Sequence, residues 1–112
     1  MTVEELASEL NLEILTGDIN LDREIKSGYT SDLLSDAIAG IGEDAVWITI
    51  QRHINVLGVA KLRDVAAIII ARNLKPEPDV VEKAREEHIA LLKSARSAFE
   101  ISALVYNKIA GN

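Results

Sequence analysis

Ala66-Ala67-Ile68-Ile69-Ile70-Ala71 is an unbroken apolar run with three consecutive isoleucines. No polar residue alternates through it. Such a run reads as a strand covered on both faces, the pattern of a parallel sheet between helices. Arg72-Asn73 closes it. Pro76 and Pro78 then flank the start of a helical pattern over Asp79 to His88, with Val80, Val81 and Ala84 inward.

The same order recurs on either side. Glu24 to Thr30 is followed by Ser31-Asp32 and a helix carrying Leu33, Leu34, Ala37 and Ile38, which Gly40 and Gly42 stop. Ala45 to Ile50 is followed by Gln51-Arg52-His53 and a helix over Ile54 to Arg63. Ile89 to Leu92 is followed by Ser94-Ala95-Arg96-Ser97 and the last helix. Thr2 with Glu5, and Ser97 with Glu100, have the spacing of capping boxes and mark two helix starts. Leu12 to Leu15 adds a short first strand. Gly28 implies a bulge or a close backbone approach. Strand, polar turn and helix in repetition predict a three-layer α/β/α domain over residues 1–112, with a mostly parallel sheet of about five strands.

Composition sets the outer bounds. The chain has 112 residues, 48% hydrophobic but only 4% aromatic, so one aliphatic core is expected. The formal net charge is −6. An acidic surface repels phosphate backbones, so nucleic acid is not an expected partner. No apolar stretch is long enough to span a membrane, and Met1-Thr2-Val3-Glu4-Glu5 is acidic where a leader would be basic. There is no cysteine, which removes disulfides and thiolate chemistry. A cytoplasmic protein is the expectation.

Parallel sheets gather ligands at the carboxyl ends of their strands. The polar turns there supply Ser31, Asp32, Gln51, Arg52, His53, Asn55, Arg72, Asn73, Ser94 and Arg96 as candidate binding residues. Helix N-terminal N–H groups attract anions, and arginine adds a fixed charge. His53 can donate, accept or titrate. Each residue also has a plain structural use: His53, Asn55, Ser31, Asp32 and Ser97 can cap helices, and Arg72-Asn73 can simply turn the chain. If the strands are parallel, the turns share one rim and Arg52, Arg72 and Arg96 can face one anionic group. Catalytic signatures are missing. There is no phosphate loop, dinucleotide fingerprint or nucleophile elbow. His53 and His88 lack partners at metal spacing, so neither metal nor cofactor is expected.

Gly28-Tyr29-Thr30-Ser31-Asp32-Leu33-Leu34-Ser35-Asp36, Trp47-Ile48-Thr49-Ile50-Gln51-Arg52-His53-Ile54-Asn55 and Ala67-Ile68-Ile69-Ile70 together resemble the small bacterial DRTGG-domain proteins. The resemblance covers nearly the whole chain. That domain is similar to the N-terminal domain of HPr kinase/phosphorylase and also accompanies phosphotransacetylase and CBS-domain enzymes. The resemblance implies a three-layer α/β/α fold and a regulatory role. It does not imply kinase activity, because the phosphate loop and catalytic residues of HPr kinase belong to its other domain. Gln51-Arg52 stands where the family has its Asp-Arg pair, and Ala71-Arg72-Asn73 where Thr-Gly-Gly often follows the central strand.

Three functional readings follow. The first is a non-catalytic regulatory module that binds a small anionic ligand, a nucleotide or phosphorylated metabolite, and mediates assembly. The second is a purely structural protein-interaction module without ligand. The third is a small enzyme using His53. A homodimer is the expected assembly. Its expected surface is on the last helix, where Phe99, Ala103, Tyr106 and Ala110 form one stripe, Ile101, Leu104, Val105 and Ile109 broaden the apolar face, and Ile101, Val105 and Ile109 are the residues expected to pack on a second copy. A partner protein is the other possible binder.

Overall fold

The computed structural model describes residues 1–111. Five strands form one sheet in the order β1-β5-β4-β3-β2. They are β1 (Glu13–Ile14), β2 (Ser27–Thr30), β3 (Ala45–Thr49), β4 (Ala67–Ile70) and β5 (Leu91–Lys93). β2, β3, β4 and β5 are mutually parallel, and only β1 runs antiparallel, against β5. The helices are α1 (Val3–Leu10), α2 (Leu34–Gly40), α3 (Asn55–Arg63), α4 (Pro78–Glu86) and α5 (Ala98–Ile109).

The apolar runs sort the sheet into two cores. On one face Trp47, Ile68, Ile70 and Leu91 pack with Ala37, Val56 and Val80 from α2, α3 and α4. On the other, Val46, Ile48, Ile69 and Leu92 pack with Leu6 and Leu10 from α1 and Ile101 and Val105 from α5. Successive strand residues point to opposite faces, so the two clusters interleave along β3 and β4. This is the three-layer arrangement expected from the sequence.

Local chemistry explains the ends. Both capping boxes are formed, Thr2 with Glu5 and Ser97 with Glu100. Pro78 occupies the first turn of α4, and His88 lies beyond that helix in left-handed geometry. Gly28 causes no bulge, since it sits in regular register opposite Val46. No close backbone approach requires it either, since a Cβ there would meet the Val105 Cγ1 of α5 at 3.4 Å, an ordinary contact.

Four expectations need correction. Neither Ser31 nor Asp32 caps α2, whose N-cap is Leu33 with no side-chain bond. Gly40 is the last residue of that helix, not a stop beyond it. Leu33 and Ile38 do not join Ala37 in the core but remain exposed. The last strand lies at Leu91–Lys93, because Lys93 continues the ladder and pairs with Glu13 of β1 at 3.3 Å. A lysine in the buried strand breaks the apolar pattern from which the strand end was read. The surface expected for assembly also changes. Ile101 and Val105 are buried in this chain's own core, whereas Phe99, Ala103, Tyr106 and Ala110 are the exposed stripe.

An ion-pair cluster ties the loop before β2 to the start of β3. Arg23 bonds Asp44 at 2.7 Å and Asp64 at 3.0 Å, and Lys26 reaches Asp44 at 3.2 Å. The bond from Arg23, and then that from Lys26, hold the Asp44 carboxyl below the usual carboxylate range. A lowered folded pKa contributes stability that is full above the unfolded value, about 3.9, and is lost as pH falls through the folded one. Asp44→Asn keeps a residue tolerant of the left-handed backbone at this position (φ 62°). The variant should be less stable than wild type at neutral pH, with the gap narrowing below about pH 4. Urea denaturation at neutral and acid pH checks this. A gap independent of pH would remove the linkage.

Candidate functional site

Because β2 to β5 are parallel, the turns after them share one rim of the sheet. Adjacent strands lie about 4.8 Å apart, so neighbouring turns touch. The turn after β2 is pinned to that after β3. Asp32 Oδ1 accepts from the Thr49 hydroxyl at 3.0 Å and from the Ile50 N–H at 2.8 Å. Gln51 Nε2 donates to the Asp32 carbonyl at 2.7 Å, and Trp47 Nε1–H to the Ser31 carbonyl at 2.9 Å. Ser31, Asp32 and Gln51 thus hold two loops in register.

The turns after β4 and β5 are joined by backbone bonds. Arg72 N–H donates to the Arg96 carbonyl at 2.8 Å and Asn73 N–H to the Ser94 carbonyl at 2.7 Å. Arg72 and Asn73 are both left-handed, with φ of 62° and 55°. The helix after β4 goes to one face and the helix after β5 to the other, an arrangement that opens a crevice in many parallel sheets. Here the two bonds bridge the loops at that point. Ser94 is buried, and its hydroxyl accepts the Arg96 N–H at 3.1 Å. The Arg96 guanidinium donates to the Leu10 carbonyl at 2.8 Å, the last residue of α1. Arg96 therefore closes a helix end rather than standing free beside Arg52 and Arg72.

The turn after β3 remains open. His53 Nδ1 accepts the Asn55 N–H at 3.2 Å and so caps α3, while its Nε2 lies 3.9 Å from Glu77 Oε1. Asn55 contributes its backbone N–H to that cap. Arg52 is exposed, with one long contact of 3.5 Å from Nη1 to the Lys75 carbonyl, and the Glu77 N–H donates to the Arg52 carbonyl at 3.2 Å.

A census of the cations isolates the site. The chain has 12 lysines and arginines. Arg23, Lys26, Lys61, Lys83, Lys93 and Lys108 are in ion pairs. Arg63, Arg85 and Arg96 donate to the carbonyls of Ile41, Thr16 and Leu10. Those left are Arg52, Arg72 and Lys75, which have no acidic partner among the described residues. All three are exposed and lie in the loops after β3 and β4. Lys75 was missed in the sequence because it follows the polar pair by two residues and reads as loop filler before Pro76. Its only sequence signal is its place in the same loop as Arg72.

The model of the DRTGG domain matches residues 5–107. This chain belongs to the DRTGG family. Among solved structures, the DRTGG chain is similar to the CBS and DRTGG domains of the regulatory region of Clostridium perfringens pyrophosphatase, a structure complexed with the activator diadenosine tetraphosphate. The TM-score is 0.74 at 17% identity, over 93% of this chain and 45% of that one. The DRTGG chain thus spans less than half the length of that regulatory region. The likeness confirms the fold. No helix among the described residues is long and apolar enough to cross a membrane, and none of their His, Asp and Glu side chains group as a metal site.

Proposed function

We propose that this DRTGG chain is a non-catalytic regulatory module whose sheet rim binds a small phosphorylated ligand, such as a nucleotide. The observation that carries the reading is the convergence of Arg52, Arg72 and Lys75, exposed cations with neither an acidic partner nor a short side-chain hydrogen bond among the described residues, on neighbouring loops of a chain with net charge −6. His53 and the first turn of α3 stand beside them, and a helix N-terminus favours anions. Asp32 and Gln51 hold the β3 turn in place, while Ser94, Asn73 and Arg96 hold the β4 turn. The related pyrophosphatase region was crystallised with a dinucleotide activator, which supports the same ligand class here. The fold likeness extends in this reading to the N-terminal domain of HPr kinase/phosphorylase, and the setting is cytoplasmic. Ligand binding acts on assembly, for which a homodimer is the proposed state.

The test is a melt of the purified chain against nucleotides, dinucleoside polyphosphates, sugar phosphates and acyl phosphates. A ligand at 100 times its Kd stabilises by about 2.7 kcal/mol. Arg52→Gln with Arg72→Asn, the latter chosen because asparagine tolerates the left-handed backbone, should abolish that gain and leave the unliganded melt close to wild type. A gain that survives the double substitution places the ligand elsewhere. No response to any anion would leave the purely structural interaction module as the better account.

A further inference from the structure

β5 ends on a lysine where its pattern calls for an apolar residue. Successive strand residues alternate faces, so Lys93 shares with Leu91 the face that α4 covers. In the sheet register it lies between Ile70 of β4 and Glu13 of β1. Its side chain is only 9% exposed. An ammonium carries three donors and no acceptor. Among the described residues the chain offers Lys93 one charged partner, Glu13 Oε1 at 3.3 Å. That is longer than the usual charge-assisted bond of about 2.7–2.9 Å. Glu13 is itself 62% exposed, on an edge strand of two residues. A buried ammonium held by one long contact is costly, and a hydrophobic side chain of the same length would pack there at no such cost.

Lys93 lines a small cavity of about 210 Å³, together with Glu13, Leu15, Lys75, Pro76 and Val81. The cavity lies between β1, the end of β5, the loop before α4 and α4 itself. Its lining carries two positive charges and one negative, so it is net positive in a chain of net charge −6. Lys75 has no acidic partner of its own among the described residues. The other three lining residues are apolar and screen the charges little. At about 30 Å³ per water, the space suits a small anion with part of its hydration shell, and it is below the roughly 300 Å³ at which pockets for whole drug-sized ligands begin. Lysine is a compact point charge that suits phosphate.

We infer that Lys93 and Lys75 bind a phosphoryl group in this cavity. Glu13 keeps one donor of Lys93, and the phosphoryl oxygens take the remaining donors of Lys93 and those of Lys75. The Glu13 charge weakens this binding and holds Lys93 when no anion is bound. A pair that only clipped β1 to β5 would need neither the second lysine nor the cavity. The site is separate from Arg52 and Arg72 at the rim. Lys75 alone is common to both, because its carbonyl meets the Arg52 guanidinium. The phosphoryl group is therefore either free phosphate or one end of a ligand that also reaches the rim.

The test follows the amide NMR signals of the whole chain as inorganic phosphate is added at constant ionic strength. Saturating shifts should centre on Glu13, Lys75 and Lys93. Lys93→Met keeps the side-chain length and removes the charge. It should melt no lower than wild type and bind phosphate about tenfold more weakly or worse, the loss of a hydrogen-bonded charge. Glu13→Gln should bind severalfold more tightly. Arg52→Gln with Arg72→Asn should leave these shifts in place, so the cavity and the rim fail separately. A parallel titration with ADP distinguishes the sources. An ADP response weakened both by Lys93→Met and by the double substitution assigns the cavity to one end of a larger ligand, whereas a response to phosphate alone assigns it to the free anion. No saturation in wild type, or wild-type affinity in Lys93→Met, overturns the site and leaves Glu13 and Lys93 as a clip between strands. If Lys93→Met fails to fold, Glu13→Gln decides, and an unchanged or weaker affinity there overturns the site.

Discussion

Trp47→Ala should lower the unfolding free energy by about 3–5 kcal/mol, the usual cost of emptying a large aromatic site in a core. Trp47 is fully buried at the centre of β3, between Tyr29 of β2 and Ile68 of β4 in the sheet register. Its ring belongs to the cluster that joins the sheet to α2, α3 and α4. Alanine there leaves a cavity that three helices would have to move to close. The indole N–H also donates to the Ser31 carbonyl, so the loss reaches the turn beside the rim. Trp47→Phe separates the two effects, because it keeps an aromatic ring and removes the hydrogen bond, whose own net worth is about 1 kcal/mol. Trp47 is the sole tryptophan, so the denaturation is followed by far-UV circular dichroism. In the alanine variant, exchange at the Ile50 N–H should also quicken, since its acceptor Asp32 sits on the loosened turn. A loss below about 1 kcal/mol would mean that the helices on this face do not depend on the ring.

The fold was legible where burial acts on both faces of a strand. Ala45 to Ile50 and Ala66 to Ala71 show no alternation, and they became β3 and β4 at the centre of the sheet. The capping boxes marked α1 and α5 because the paired side chains answer backbone donors that every helix start leaves open. What stayed hidden depended on partners distant in sequence. Lys93 sits in a strand because Glu13, 80 positions earlier, neutralises it. Arg96 looks like a free cation until the end of α1 is brought to it. Asp32 looks like a cap for its own helix, yet it bonds the neighbouring turn. The sides of α5 were blurred because apolar residues surround much of the helix. Only packing against β2 and β3 decides that Ile101 and Val105 face inward and Phe99 and Tyr106 outward.

The candidate site was legible as a rim and illegible as a subset. The residue types after each strand were sufficient to gather all the named positions on one side of the sheet. Which of them are free depends on which carbonyls and carboxylates absorb their donors, and that is a tertiary property. Arg52 and Arg72 stay exposed and without an acidic partner, as does Lys75, whereas the Arg96 guanidinium is taken up by the end of α1.

Gly40→Ala should destabilise the protein by about 1–3 kcal/mol, the range for forcing a methyl group into an occupied site. Helix propensity alone predicts the opposite sign, since alanine is favoured over glycine in a helix by roughly 1 kcal/mol. The contacts decide. A Cβ on Gly40 would collide with Tyr29 Oη and lie 2.7 Å from its Cζ. The Tyr29 hydroxyl donates to Asp36 Oδ2 at 2.8 Å on the same helix. The ring is rigid, so it must swing away whole, giving up that bond and its partial burial. In a Tyr29→Ala background the obstacle is gone, and Gly40→Ala should then stabilise by up to about 1 kcal/mol. A reversal of sign between the two backgrounds, read by urea denaturation, identifies the ring as the reason for the glycine. The same sign in both would make Gly40 a matter of backbone alone. Tyr29 is linked to α2, while the rim turn after β2 is held separately by Trp47 and Thr49. Any anion-induced stabilisation at Arg52 and Arg72 should therefore survive Gly40→Ala, although the protein that carries it melts earlier.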